Sequence, residues 1–398
     1  MDSISTSNKR SSSDTIVVFD FFCGCGGTSR GFQLSGMDIV WALDNNPIAA
    51  KTFKLNFPTA QFHCKSIDEL EENDLKPLFE KYKNKMRLFC GCAPCQPFTK
   101  QKTRKKSKDL DVRYPLLISF GNIISHYKPE FVFVENVPGV QNALSEEPGP
   151  FQEFLAILQK LNYNIEYKVV RAQDYGAAQI RRRFVLLASR VSEITLPPIT
   201  HGDNKSLGLL DYVTVKQRIA DLPAIAAGEL FIDPEKKIFN HQASELNKKN
   251  LLRIQATPHD GGNRLSWPQK LQLKCHSKKR VKTTYDEKNG RVKKVSVTHS
   301  GHTDVYGRLW WNRPATGLTT RCNSYSNGRF GHPEQDRAIS IREAARLQGF
   351  DDEFIFTGSV VDMARQIGNA VPIPLAQAVG KHLYSLLEEK RNNDGGEK

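Results

Sequence analysis

The chain has no stretch approaching the roughly 18 consecutive apolar residues needed to cross a bilayer, so no membrane span is expected. Its first residues, Met1 to Asp14, are rich in serine and hold no apolar core of a secretory leader, which points to a soluble, unsecreted protein. Cysteine is too sparse for a small disulfide framework: eight in 398 residues, five of them inside strand-like or glycine-rich motifs. Free thiols in a reducing cytoplasm are expected instead. Acidic residues are in deficit, with 57 lysines and arginines against 43 aspartates and glutamates and a formal net charge of +14. That imbalance favours a polyanionic partner, although a merely basic surface accounts for it as readily. There is no internal repeat, and the length suits two domains, one of them discontinuous.

What is present is an alternation of strands and helices. Thr15 to Phe22 reads as a buried strand running into the glycine turn Cys23-Gly24-Cys25-Gly26-Gly27. Asp38 to Leu43 is a second strand ending at Asp44, and Pro47 opens a helix through about Asn56. A helix is expected near Asp68 to Tyr82, a strand over Met86 to Cys90, a helix over Leu116 to His126 and a strand over Phe131 to Val134. A helix near Phe151 to Leu161 and strands near Ile165 to Arg171 and Phe184 to Ala188 complete the series. Such alternation predicts an α/β fold with a doubly wound, mostly parallel sheet.

After Arg190 the periodicity weakens until about Ile339, and a second, smaller domain is expected there. From Lys236 to Lys294 there are 16 lysines and arginines against 4 acidic residues, which suits phosphate contact, with a plain solvated surface as the alternative. Helix returns at Ser340 to Gln348, where Ser340 and Glu343 form a capping box, and a last helix spans about Pro374 to Arg391.

The chemistry centres on two strand ends. The run Gly91-Cys92-Ala93-Pro94-Cys95-Gln96-Pro97-Phe98 offers a thiol nucleophile, and Glu135-Asn136-Val137 offers a carboxyl acid. Ligands of open α/β sheets bind outside the carboxyl ends of strands, so Cys95 and Glu135 can face one crevice. Taken singly these signals are weak. A buried cysteine is usually an inert apolar residue, a strand-end glutamate often caps a helix, and a glycine turn also serves NAD, FAD, phosphate or close packing. Cys90, Cys92 and Cys95 invite a metal or redox reading, but no second Cys/His pair at ligand spacing accompanies them, so no metal is expected.

Taken together and in order, the glycine turn, Pro94-Cys95-Gln96, Glu135-Asn136-Val137, Gln179-Ile180-Arg181-Arg182-Arg183 and Gln366-Ile367-Gly368-Asn369-Ala370-Val371-Pro372 resemble the motifs of the cytosine-C5 DNA methyltransferases. The resemblance covers roughly Ile16 to Leu387. It implies a Rossmann-like catalytic domain using S-adenosyl-L-methionine, with a smaller target-recognition domain inserted in it. The expected boundaries are a tail at 1–14, catalysis and cofactor binding at 15–190, target recognition at 191–338, closing helices at 339–391 and a polar tail at 392–398.

Two details agree with that cofactor. The glycine loop lacks a Walker lysine, and Phe22 stands where an aromatic ring can lie against adenine. Asp44 can accept hydrogen bonds from both ribose hydroxyls. By resemblance, Gly24, Gly26, Gly27 and Pro94 join Phe22 and Asp44 around the cofactor, and Asn369, Ala370 and Val371 fold back to complete the pocket. Relatives usually place an Asp-Ile pair after the third strand to meet the adenine amino group. Here the pair is Ser66-Ile67, leaving Asp68, or a weaker contact, in its place.

Cytosine C5 is too poor a nucleophile to take a methyl group unaided, so a thiolate must first add at C6; that role falls to Cys95. Glu135 would neutralise charge at N3. By resemblance Arg183 approaches cytosine O2 while Arg181 stabilises the site and nearby phosphate, and either could supply the positive neighbour that a thiol near its ordinary pKa needs. The lysine- and arginine-rich stretch from Gln96 to Arg113 resembles the family's mobile loop that closes over substrate, with Gln96, Thr99 and Arg113 meeting DNA. A target carbon inside a duplex is out of reach, so the base must be extruded, which gives the basic segment around Lys278, Lys279 and Arg280 a purpose. Ala315 to Arg321 resembles the end of the recognition region, with Arg321 a candidate DNA contact, and Arg337 to Gly349 resembles its structural support.

The sequence therefore reads as a monomeric, site-specific methyltransferase of the bacterial restriction-modification type, acting on double-stranded DNA in the cytoplasm or on the nucleoid. A cognate restriction endonuclease is a functional, not necessarily physical, partner. One rival is the tRNA-directed branch, suggested by Thr99 where many DNA enzymes have serine, although the Cys-Phe-Thr run that marks that branch is absent. The other is a catalytically silent DNA-binding regulator, which would tolerate loss of Cys95, Glu135 and Arg183.

Overall fold

The computed structural model describes residues 15–93, 115–140, 149–203, 208–273, 279–286, 291–298 and 304–395. The first half is the expected alternation: β1 (Ile16–Phe21), α1 (Gly27–Leu34), β2 (Asp38–Leu43), α2 (Pro47–Asn56), β3 (Gln61–His63), α3 (Glu72–Lys81), β4 (Met86–Gly91), α4 (Pro115–Tyr127), β5 (Phe131–Asn136), α5 (Pro150–Lys160) and β6 (Asn164–Arg171). A two-residue strand β7 (Gln179–Ile180) and the long β8 (Arg182–Ser189) follow. The single helix expected over 68–82 is instead a 3-10 turn at Ile67–Glu69 followed by α3. The Glu69 carboxylate accepts the Ser66 amide at 2.7 Å, and the Asp74 carboxylate accepts the Glu71 amide at 2.8 Å, so two successive caps break the helix in two.

Seven strands form one sheet in the order β3-β2-β1-β4-β5-β8-β6. From β3 to β5 every pairing is parallel; β8 joins β5 and β6 antiparallel. Strand alternation sends Ile16 and Val18 of β1 to one apolar cluster and Val17, Phe19 and Phe21 to another. A sheet covered on both faces is the usual setting of parallel strands. Strand order reverses at β1, flanked by β2 on one side and β4 on the other, so the crevice at their carboxyl ends is the natural ligand position.

The middle of the chain, where periodicity was weak, holds short elements: α6 (Val215–Ile219), β9 (Leu230–Asp233), β10 (Ile238–Gln242), α7 (Lys248–Gln255), the antiparallel ribbon β11 (Lys279–Asp286) with β12 (Arg291–Thr298), and β13 (Ala315–Thr316). Part of this region has its own apolar cluster, built on Ile254, Trp267, Leu271, Tyr306 and Tyr325. Three helices close the chain: α8 (Ile341–Gln348), α9 (Val360–Asn369) and α10 (Ile373–Gly395). The α8 capping box forms as its sequence indicates, Ser340 Oγ accepting the Glu343 amide at 3.0 Å and Glu343 accepting the Ser340 amide at 2.7 Å. Helix α9 was not anticipated. It starts on a further box, Ser359 with Asp362, beyond the glycine of Phe356-Thr357-Gly358. Among the described residues no helix is long and apolar enough to cross a membrane.

Helix α10 returns across the molecule to lie on α1, so the last element of the chain covers the first. The contact is close: a Cβ on Gly31 would fall 2.5 Å from the Ala376 Cβ.

Candidate active site

The turn after β1 is built from left-handed backbone. Phe22 has φ of 61° and Gly26 of 98°, and a Cβ on Gly26 would meet the Phe57 ring at 2.4 Å. Such a turn leaves the amide of Gly24 free to donate to Asp44 Oδ2 at 2.8 Å, while Asp44 Oδ1 accepts the Asn46 amide at 2.8 Å. Burial pushes the Asp44 carboxyl up and those two amides pull it down. Each oxygen keeps a second lone pair, so the side chain can still accept from a diol.

Asp44 lines a cavity of about 680 Å³ at the carboxyl ends of β1, β2, β4 and β5. Phe22, Gly24 and Gly27 form its wall on the glycine-turn side, Ser66 and Ile67 bound it after β3, and Asn369, Ala370 and Val371 bound it from the end of α9. The glycine turn and the end of α9 meet where a side chain is lacking: a Cβ on Gly27 would lie 2.8 Å from the Ala370 Cβ and 3.0 Å from the Val371 carbonyl oxygen. Gly26 is not among the lining residues; its open side is filled by Phe53 and Phe57. Asp68 is not either. Its Oδ1 accepts the Ser119 hydroxyl at 2.6 Å, which leaves the uncharged Ser66 at that wall.

Glu135 closes the same cavity at the end of β5 and is 8 % exposed. Its Oε1 pairs with Arg183 Nε at 2.7 Å. Burial raises the Glu135 carboxyl and outweighs the opposing pull of Arg183 and Arg181, so the group holds a proton more readily than an ordinary glutamate. Arg183 is thereby committed to the carboxylate. The adjoining Asn136 donates to the Ala93 carbonyl at 3.2 Å, tying the end of β5 to the segment that leaves β4.

Arg181 is buried and does different work. Its guanidinium donates to the Leu318 carbonyl and, at 2.7 Å, to the Gly368 carbonyl. Gln179, two residues before it, accepts the Leu318 amide at 3.1 Å and donates to Gln348 of α8. The pairing of β7 with β13 adds to this junction, so Gln179 and Arg181 hold together the 315–320 segment, α8 and the end of α9.

A family model, C-5 cytosine-specific DNA methylase, matches residues 16–385. The chain belongs to that family. It is 35 % identical over 376 residues to the Type II methylase M.HgiDII of Herpetosiphon aurantiacus, covering 94 % of this chain and 96 % of the relative. Against DNA (cytosine-5)-methyltransferase 1A of Oryza sativa subsp. japonica identity is 30 %, over 96 % of this chain but only 29 % of the larger plant protein. A solved structure of a putative DNA modification methyltransferase encoded within a prophage of E. coli shares the fold, with a TM-score of 0.65 at 23 % identity over 94 % of this chain and all of that one.

This methylase is thus a DNA (cytosine-5-)-methyltransferase whose methyl donor is S-adenosyl-L-methionine. The cavity fits that donor. Its volume is in the range of small-molecule sites, and it combines an aromatic wall at Phe22 with a diol acceptor at Asp44. The nucleophile candidate Cys95 lies outside the described residues, together with Pro94, Gln96, Thr99, Arg113 and Lys278. Lys279 and Arg280 open β11, and Arg321 is exposed beyond β13 and does not line the cavity.

Sequence reasoning missed several wall residues, among them Thr28, Cys92, Leu318, Thr319 and Thr320. The last three fall in the run read as the end of the recognition region. The pairing of β13 with β7 and the bonds of Leu318 to Gln179 and Arg181 bring them to the cofactor cavity.

Proposed function

We propose that this methylase modifies one cytosine within a short site of duplex DNA, by a covalent route through Cys95, as part of a restriction-modification system. The observation that carries the mechanism is the buried Glu135, held by Arg183 at 2.7 Å on the wall of the cavity that also holds Asp44 and the glycine turn. When bound, S-adenosyl-L-methionine supplies an electrophilic methyl group. The Cys95 thiolate adds to C6 of the cytosine, Glu135 offers its proton at N3, and the electron density returned to C5 takes up the methyl. Loss of the C5 proton to a base, expulsion of the thiolate and return of the N3 proton to Glu135 then release 5-methylcytosine. Burial of Glu135 favours this reading, because a carboxyl with a raised pKa retains the proton it must give.

Reaching C5 requires the base to leave the duplex, and unstacking must be offset by phosphate and groove contacts. We assign those contacts to a target-recognition domain at 191–338; the separate apolar cluster from Ile254 to Ala338 and the ribbon β11–β12 support the later part, while Ile194, Val215 and Ile238 pack into a cluster shared with the catalytic sheet. A two-stranded ribbon matches the width of the major groove. The ribbon's register places Arg280, Lys282, Lys293 and Arg291 at positions sharing one face. The similarity to Type II methylase M.HgiDII over nearly its whole length supports the restriction-modification setting and a cognate endonuclease.

The test is transfer of labelled methyl to plasmid DNA and, in parallel, to tRNA, followed by single-base mapping of 5-methylcytosine. Label at one short DNA motif is expected. Label confined to tRNA overturns the DNA reading, and none in either substrate overturns catalysis in favour of a silent regulator.

A further inference from the structure

At the wall of the cofactor cavity Cys92, with Cys90 buried behind it, forms a pair of thiols that the methyl-transfer chemistry does not use. Cys90 and Cys92 stand two residues apart at the end of β4, so their side chains share a face, and their Sγ atoms are 3.9 Å apart. Cys92 lines the cavity, where its Sγ lies 3.7 Å from Thr28 Oγ1. Cys90 is completely buried, and burial holds its thiol well above the ordinary range.

Beside Cys90 is a fully buried carboxyl. Asp20 pairs with Cys90 in the β1–β4 register. Its Oδ2 accepts the Ser29 hydroxyl at 2.6 Å, Oδ1 is buried without a hydrogen-bond partner, and the Cys90 thiol is near enough to the carboxyl to oppose its burial. Burial pushes the Asp20 carboxyl up to about 7, which makes it a proton acceptor near neutrality. The reactive surface of the pair is therefore at Cys92, and the base is behind Cys90. Between them, Gly91 is still paired with Phe21 and packed against the Phe120 ring, so the chain leaves the sheet only after it, at Cys92.

We propose that Cys90 and Cys92 are a modification site, a dithiol that a hydroperoxide closes to a disulfide across Gly91 and that controls binding of the methyl donor. The Cys92 thiolate attacks the peroxide oxygen, breaking the O–O bond and giving a sulfenic acid, with water as the reduced product of hydrogen peroxide. Cys90 loses its proton to Asp20 and attacks the Cys92 sulfur. An S–S bond forms, the S–O bond breaks, and the hydroxide leaves as water with that proton.

Bonding requires the sulfurs to close by about 2 Å, to the usual disulfide length. Cys90 is fixed by pairing with Asp20 on one side and Phe133 on the other, so Cys92 must move. That movement reshapes the wall beside Thr28 and drags Ala93, whose carbonyl holds Asn136. A bridge strained in this way is easily reduced, as a reversible one must be.

The inference rests on the reading of the cavity as the methyl-donor site, and the experiment separates the two. Full-length protein carrying Cys95→Ser, which removes the candidate nucleophile from the thiol chemistry, is treated with hydrogen peroxide and then with dithiothreitol. Intact mass, peptide mapping and calorimetric binding of S-adenosyl-L-methionine are measured at each stage. The expected result is loss of two hydrogens mapped to the Cys90–Cys92 peptide, with affinity weakened by roughly tenfold or more and restored by the reductant. Adding Cys90→Ala should abolish the bridge and let Cys92 proceed to a sulfinic acid that dithiothreitol does not reverse; Cys92→Ser should abolish it as well. Over-oxidation of Cys92 with Cys90 present, a bridge to another cysteine, or a bridge that leaves affinity unchanged each overturns the proposal. Failure of the reduced protein to bind the donor would overturn the cavity reading instead, while the mapped bridge would stand by mass alone.

Discussion

Asp20 makes the stability of this methylase depend on pH in a way that one substitution can isolate. Its carboxyl titrates near 3.8 when unperturbed and near 7 in the folded protein, because burial disfavours the anion. Between those values the folded state keeps a proton that the unfolded chain has released. The contribution to stability is complete below about pH 4 and is lost as pH rises through about 7. Integrating between about pH 5 and about pH 8, this group alone should remove on the order of 3 kcal/mol. His332 acts in the opposite sense over part of the same range: burial lowers it to about 4, so it stabilises the fold above its unfolded value and loses that effect as pH falls. Raw stability curves therefore mix the two. The Asp20→Asn protein keeps the shape and an acceptor for Ser29 but no ionisation, while His332 and Glu135 remain common to both chains. Urea unfolding of both proteins across that range should show the variant gaining on the order of 3 kcal/mol relative to the wild type on going to the higher pH. A stability difference that stays flat with pH would refute the claim that Asp20 is protonated in the fold.

Cys95→Ser should abolish methyl transfer and leave binding of cofactor and DNA nearly intact, and DNA carrying 5-fluorocytosine at the target should trap an adduct on Cys95 in the wild type. Mass spectrometry that finds the label on another cysteine would reassign the nucleophile. Replacing Arg280, Lys282, Arg291 and Lys293 with glutamine should weaken DNA binding and flatten its salt dependence, by roughly one unit of logarithmic slope for each phosphate that is no longer neutralised. An unchanged slope, measured by titration at several salt concentrations, would return the ribbon to ordinary surface.

The catalytic half of the fold was legible because its strands are buried on both faces. Continuous apolar runs such as Ile16 to Phe21 and Phe131 to Val134 admit few other readings, and the turn residues between them are explicit. The region after Arg190 was not legible, for a physical reason that its side chains make plain. Its folding relies on buried arginines satisfied by backbone carbonyls: Arg308, with no exposure, donates to the carbonyls of Thr257, His332, Gln335 and Ile254. Arg329 does the same for Gly261, Gly262 and Arg308. A charged residue that organises loops leaves no period of 2 or 3.6 in the sequence. In that region a basic composition conceals part of the core.

The same reasoning bears on the two arginines of the Gln179 to Arg183 run, which only the family resemblance, and not their chemistry, tells apart in the sequence. Both could stabilise negative charge, and spacing alone cannot say which does. Arg183 meets Glu135 directly, so its charge opposes the burial cost at the carboxyl proposed as proton donor. Arg181 is aimed at the Leu318 and Gly368 carbonyls, one from the segment after β13 and one from the end of α9. It joins segments separated by 137 and 187 residues from its own position. A buried guanidinium with carbonyl partners is costly to strip of them, since the desolvated charge would be left uncompensated. A shift of the 315–320 segment relative to the end of α9 therefore has to break or carry Arg181. The residue ties together two walls of the same cavity, and a change at either wall is felt at the other through its guanidinium.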